Sequence, residues 1–141
     1  MFSGVEMIDL APLRRALDQL ERGLAEARAN PGHELMRDGA IQRFEYSYEL
    51  CHKMLRRHLA ETEPSRDVVE AMSFPDLIRT GWERGLLAHS WDRWKDFRTH
   101  RGTTSHPYDR QKAEAVFAAI PDFLTEARFL LSRIETDRPA S

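Results

Sequence analysis

Cysteine is almost missing from this chain: Cys51 is the only one in 141 residues. That excludes an internal disulfide framework and a cysteine-built zinc site, and it points to a reducing compartment. Net charge is almost missing too. Lys and Arg number 21 against 23 Asp and Glu, a formal charge of -2. A chain so balanced does not coat nucleic acid by bulk charge. Long apolar runs are absent. The most apolar stretch, Ala115 to Ile120, is far too short to cross a bilayer. The start, MFSGVEMIDLAPLRR, lacks the basic-then-apolar order of an export signal. A cytoplasmic location is expected. No Gly-rich phosphate loop is present, so the chain is not expected to bind ATP as a transferase. No cofactor and no bound metal are expected. Strand-like alternation, repeats and low-complexity tracts are also lacking.

What is present is helical periodicity. The composition is 41% hydrophobic and 31% charged, as in a globular protein, and the length suits one domain over residues 1–141. Leu10, Leu13, Leu17, Leu20, Leu24 and Ala27 fall at alternating steps of three and four, one face of a helix. Asp9 is the expected N-cap and Pro12 lies in the first turn, with Asn30-Pro31-Gly32 as the stop. A second helix runs from about Glu34 to about Ala60. Its apolar stripe is Ala40, Ile41, Phe44, Tyr48, Cys51, Leu55 and Leu59, and Gln42, Glu45, Glu49, Lys53 and Arg56 hold the opposite flank. Glu61 to Asp67 reads as a polar loop. Ser73-Phe74-Pro75-Asp76 has the form of a helix start. Leu77, Ile78, Trp82 and Leu86 continue a short helix that Gly85 ends. Trp91, Trp94, Phe97 and Arg98 begin the next. The last helix spans about Asp109 to Glu135, with Ala113, Val116, Ile120, Leu124, Ala127, Leu131 and Ile134 as its stripe, and Pro121 inside it predicts a kink or a split. The expected fold is all-α: an up-and-down four-helix bundle with an extra short helix.

Chemistry concentrates in WDRWKDFRTHRGTTSHPYDRQK, residues 91–112. Arg93, Lys95, Arg98, Arg101, Arg110 and Lys112 outweigh Asp92, Asp96 and Asp109 by three charges, leaving -5 for the rest of the chain. Cations interleaved with Trp, Phe and Tyr suit a single-stranded nucleic acid, whose phosphates meet Arg or Lys and whose bases stack on rings. Arg101 and His106 are the candidate catalytic pair. An imidazole can move the proton of a ribose 2′-OH or of a leaving oxygen, and a guanidinium can hold the phosphate between paired donors. On one straight helix the two groups would point apart, so a break between Gly102 and Ser105 is expected to let them converge.

These residues resemble a known family. Ala40-Ile-Gln-Arg-Phe-Glu-Tyr-Ser-Tyr-Glu-Leu50, followed by Lys53-Met54, is similar to the second-helix signature of the nucleotidyltransferase substrate-binding proteins. Arg101 to Asp109, RGTTSHPYD, resembles their R-x4-H-x-Y motif, and Lys112 to Leu131 resembles their final helix. The family lies within the HEPN superfamily. The resemblance implies a HEPN-like helical homodimer paired with a minimal nucleotidyltransferase, in many cases as a ribonuclease toxin with its antitoxin. It implies Arg101 and His106 as the catalytic pair of a metal-independent ribonuclease, with RNA as substrate. It also implies Tyr108 as a tyrosine onto which the partner transfers AMP. The position after the motif arginine is commonly Asn or Asp in the family; here it is Gly102. A second function stays open, a non-catalytic substrate-binding subunit of the transferase.

Other residues are expected to support the site. Arg98 and Ser105 are candidates for substrate binding. Glu45 and Glu49 form either a polar wall facing Arg98 or Arg101, or an ordinary solvated face. His52 and His58, six apart, lack the spacing of paired metal ligands and read as surface or interface histidines. His100 carries substrate contact as a minor reading. Trp91 and Trp94 read as core or interface, with base stacking as the alternative. Cys51 reads as a packing residue.

Overall fold

A computed structural model describes residues 8–103 and 109–137. Among them the regular structure is entirely helical: α1 (Ala11–Ala29), α2 (Glu34–Thr62), α3 (Arg66–Ala71), α4 (Phe74–Glu83), α5 (Trp91–Thr103) and α6 (Arg110–Asp137). The all-α expectation holds, and the four main helices are α1, α2, α5 and α6.

Short connections set the topology. Asn30 to His33 joins α1 to α2, and Gly32 takes φ +88, a backbone state open to glycine at little cost. A link this short makes the two helices antiparallel neighbours. Gly85, at φ +77, turns the chain after α4. The leucines of α1 are buried against α2 and α6. On the facing side, α2 and α6 contribute Phe44 and Phe123, whose rings meet edge-on at 5.0 Å. Trp94 and Phe97 of α5 stand edge-on to Phe123 at 6.2 and 5.4 Å. Trp94 is therefore a core residue, as expected, and this ring cluster fixes α5 on the bundle.

Local differences from the sequence reading have physical causes. Leu10, not Asp9, occupies the α1 cap position, although Asp9 Oδ1 still accepts the Ala11 N–H at 3.0 Å. The polar stretch from Glu61 to Asp67 is partly helical. Its first two residues close α2, and Ser65 opens α3 by accepting the Val68 N–H at 3.3 Å. Trp82 lies off the buried stripe and is 50% exposed. On α6, Phe123 and Leu130 are fully buried where Leu124 is only partly so. The helix runs unbroken through Pro121 instead of splitting. Ile120, Phe123 and Ala127 are fully buried around the proline, and this packing outweighs the lost N–H bond.

Three polar side chains of the described residues sit deep in the bundle: Ser47, His58 and Glu126. His58, expected at the surface, is buried, with its Nε2 2.6 Å from Asp137 Oδ2. Glu126 is 2% exposed. Its carboxylate accepts the Ala88 and His89 N–H groups and the Trp94 Nε1–H, and it pairs with His89 Nδ1 at 2.7 Å. Those contacts tie the turn before α5, and α5's first buried ring, to α6.

Candidate functional site

Arg101 lies in the last turn of α5, where it faces α2. Glu45 and Glu49 are one turn apart on α2, which places both carboxylates side by side. Arg101 Nε donates to Glu49 Oε1 at 2.9 Å, and its Nη2 lies 3.3 Å from Glu45 Oε1. The polar wall therefore exists and faces Arg101. The arginine keeps 30% of its side-chain surface open to solvent.

Arg98 is directed elsewhere. Its guanidinium lies over the Phe74 ring at 5.6 Å, a cation–π contact. His52 lies against the same ring at 4.4 Å, tilted by 57°, and shares a hydrogen bond with Arg56 at 3.2 Å. Burial, with the Arg56 charge second, holds the His52 imidazole below the ordinary histidine range. Trp91 meets Phe74 edge-on at 5.9 Å and is only partly buried. Below this layer, burial pushes the Tyr48 phenol up from its ordinary value. Burial and then the nearby Glu126 charge do the same to the Cys51 thiol. Cys51 is a packed, protonated core residue in this setting.

The α5 helix continues through Gly102 and Thr103, so no break occurs at Gly102 itself. Thr103 Oγ1 donates to the His100 carbonyl at 2.9 Å and helps keep this turn wound. The chain is described again at Asp109, whose Oδ1 accepts the Lys112 N–H at 3.0 Å and opens α6. Ser105, His106 and Tyr108 lie outside the described residues. Of the sequence-predicted site, the structure thus brings together Arg101, Glu45 and Glu49, and it turns Arg98 toward Phe74. Among the described residues no cluster of three or more His, Cys, Asp or Glu side chains has the arrangement of a metal site. None of their helices is long and apolar enough to cross a membrane.

The pattern of the family described as "Nucleotidyltransferase substrate binding protein like" matches residues 8–136. The chain belongs to this family. A Haemophilus influenzae relative named "Probable ribonuclease HepT" is 43% identical over 96 residues, 68% of this chain. The match spans 65% of that relative's length. A solved structure from Haemophilus influenzae, described as the fold of a substrate binding domain of a nucleotidyltransferase, is 35% identical with a TM-score of 0.84. It covers 90% of this chain and 99% of its own. A crystal structure from Thermus thermophilus is 29% identical with a TM-score of 0.71, covering 86% and 98%. This chain and the Haemophilus influenzae structure share one helical-bundle fold.

Sequence reasoning missed Glu126 and the burial of His58. Both carried a signal. Glu126 lies on the face shared by Phe123, Ala127 and Leu130, and His58 on the face of Cys51, Leu55 and Leu59. A charged or polar residue inside an apolar stripe predicts a buried, partnered group.

Proposed function

We propose that this chain is the ribonuclease subunit of a HEPN and minimal-nucleotidyltransferase toxin–antitoxin pair. The observation that carries the reading is the clamp on Arg101: two carboxylates one turn apart orient a part-exposed guanidinium at the start of the R-x4-H-x-Y motif. Arg101 binds the scissile phosphate and stabilises the charge that builds on it. The 2′-OH loses its proton and its oxygen attacks the adjacent phosphorus. The bond to the 5′-oxygen breaks, and that oxygen takes up a proton. His106 carries one of these two transfers, as general base or general acid. The products are a 2′,3′-cyclic phosphate and a free 5′-OH, and the scheme calls on no metal ion. Ser105 and Arg98 contact the strand, and Glu45 and Glu49 act by positioning Arg101. A homodimer would set two such sites about a two-fold axis.

A second reading is a non-catalytic subunit that presents substrate to the transferase. It is favoured by the two carboxylates that already neutralise Arg101 and by Gly102 in place of a polar residue. One experiment separates the two. Purified protein without its partner is expected to cleave single-stranded RNA in EDTA, and the His106→Ala variant to lose that cleavage. Intact RNA with the wild type, or equal cleavage by the variant, would leave the substrate-binding reading.

A further inference from the structure

Beside the Arg101 clamp, between α2 and α3, lies an open cleft of about 740 Å³. Its inner wall is α2, and the clamp and the cleft share Glu49. Glu45, Glu49, Lys53 and Arg57 follow one another at steps of four on this helix, so they form one continuous row. The first two hold Arg101. The next two, Lys53 and Arg57, are exposed, line the cleft and pair with no carboxylate among the described residues.

The other charges of the cleft are mostly committed. Glu49 pairs with Arg101, and Arg66 lies 3.6 Å from Glu70. Arg56 donates to the carbonyls of Val69 and Met72 at 2.9 and 3.1 Å and so builds the outer wall. Among the lining carboxylates only Glu61 has no ion pair with a described residue. His52, held below the ordinary histidine range, adds a ring tilted against Phe74.

We infer that this cleft is a second subsite for single-stranded RNA, in which Lys53 and Arg57 take backbone phosphates of the strand whose scissile phosphate sits at Arg101. The inference rests on the ribonuclease reading for the identity of the strand. Its geometric basis is separate: two unpaired cations in a row that begins at the clamp. From Glu49 to Arg57 the row runs about 12 Å along the helix. A flexible single strand can follow such a concavity, with cations for the phosphates and rings for the bases.

The test is binding, read apart from cleavage. A fluorescent single-stranded oligoribonucleotide is titrated in EDTA with the His106→Ala protein, alone and combined with Lys53→Glu and Arg57→Glu. Both lysine and arginine are exposed, and circular dichroism checks that the helices are intact. The added charge reversals are expected to weaken binding about tenfold or more near 0.1 M salt. Neutralising both cations as Lys53→Gln and Arg57→Gln should lower the salt slope by about 1.4, the value for two phosphate contacts on a single strand. Unchanged affinity and slope would overturn the inference. So would variants that bind RNA normally yet fail to hold the nucleotidyltransferase, which would assign the cleft to an acidic partner surface. If the wild type does not cleave but RNA binding still depends on Lys53 and Arg57, the subsite stands and the ribonuclease reading falls.

Discussion

Glu126 is a carboxylate in a helix face otherwise made of Phe123, Ala127 and Leu130, and it is buried with them. A charge taken out of water at this depth is stable only when its oxygens are filled. Here Oε2 accepts from Ala88 N, His89 N and Trp94 Nε1, and Oε1 meets His89 Nδ1. Removing the carboxylate leaves the buried indole N–H without its acceptor and unties the turn that starts α5. We predict that Glu126→Ala lowers stability by about 3 kcal/mol. Glu126→Gln, which keeps an acceptor oxygen, should lose less. Urea unfolding followed by tryptophan fluorescence measures both, and a midpoint unchanged in Glu126→Ala would refute this role. Residues of this kind were only half legible. The apolar positions of Phe44, Leu55 and Leu131 follow from periodicity alone. The partner of a buried charge comes from a distant segment, here residues 88–94, and no local pattern encodes it.

Elements were legible wherever they carried their own signals. The Ser73 cap accepts the Asp76 N–H at 3.3 Å, as the Ser-x-x-Asp pattern predicts. In contrast, α3 was invisible as a helix. Six residues are too few for a periodic signal, and a helix so short is marginal without tertiary support. That support is Arg56 of α2, whose guanidinium takes up carbonyls at the end of α3. The last turn of α5 shows the opposite error. Gly102 and the residues after it weaken the pattern, yet the helix persists because Arg101 is anchored to α2. Among the described residues nothing lies within 4 Å of a Cβ built on Gly102, and its φ is not positive. Among the described residues glycine therefore meets no steric need here and carries an entropic cost. Gly102→Ala is expected to stabilise the protein by about 0.5 kcal/mol, at the lower end for a helical glycine because the turn is terminal. Thermal unfolding would show a small rise in midpoint, and a fall would mean that glycine's freedom is required at this position.

At the scale of the whole molecule, the charge read along the chain is redistributed in space. Residues 91–112 carry a net +3 in sequence. In the fold, Arg93 reaches Asp122, Arg101 reaches Glu45 and Glu49, Arg110 reaches Glu114 and Lys112 reaches Asp109. Three of these four cations are answered by carboxylates of α2 and α6, which the linear sum assigns to the acidic remainder, and the Lys112–Asp109 pair is internal to the segment. Cations with no ion pair among the described residues include Lys95, Arg98 over Phe74, and Lys53 and Arg57 in the cleft. A surface balanced this closely is sensitive to a single added charge.

That sensitivity is what control through Tyr108 would use. An AMP joined to the tyrosine oxygen brings a negatively charged phosphodiester within seven residues of Arg101 along the chain. On the ribonuclease reading it would compete with RNA for the guanidinium and repel the strand's own phosphates. Incubation with the partner nucleotidyltransferase and ATP is therefore expected to add the mass of one AMP per chain, at Tyr108. The modified protein should lose both RNA cleavage and RNA binding. Tyr108→Phe should gain no mass and should go on cleaving RNA in the presence of partner and ATP. If Tyr108→Phe is silenced as fully as the wild type, inhibition comes from docking of the partner. If the modified wild type still cleaves, one added charge near Arg101 is too weak to displace the strand. The control would then have to act on a surface other than the Arg101 clamp.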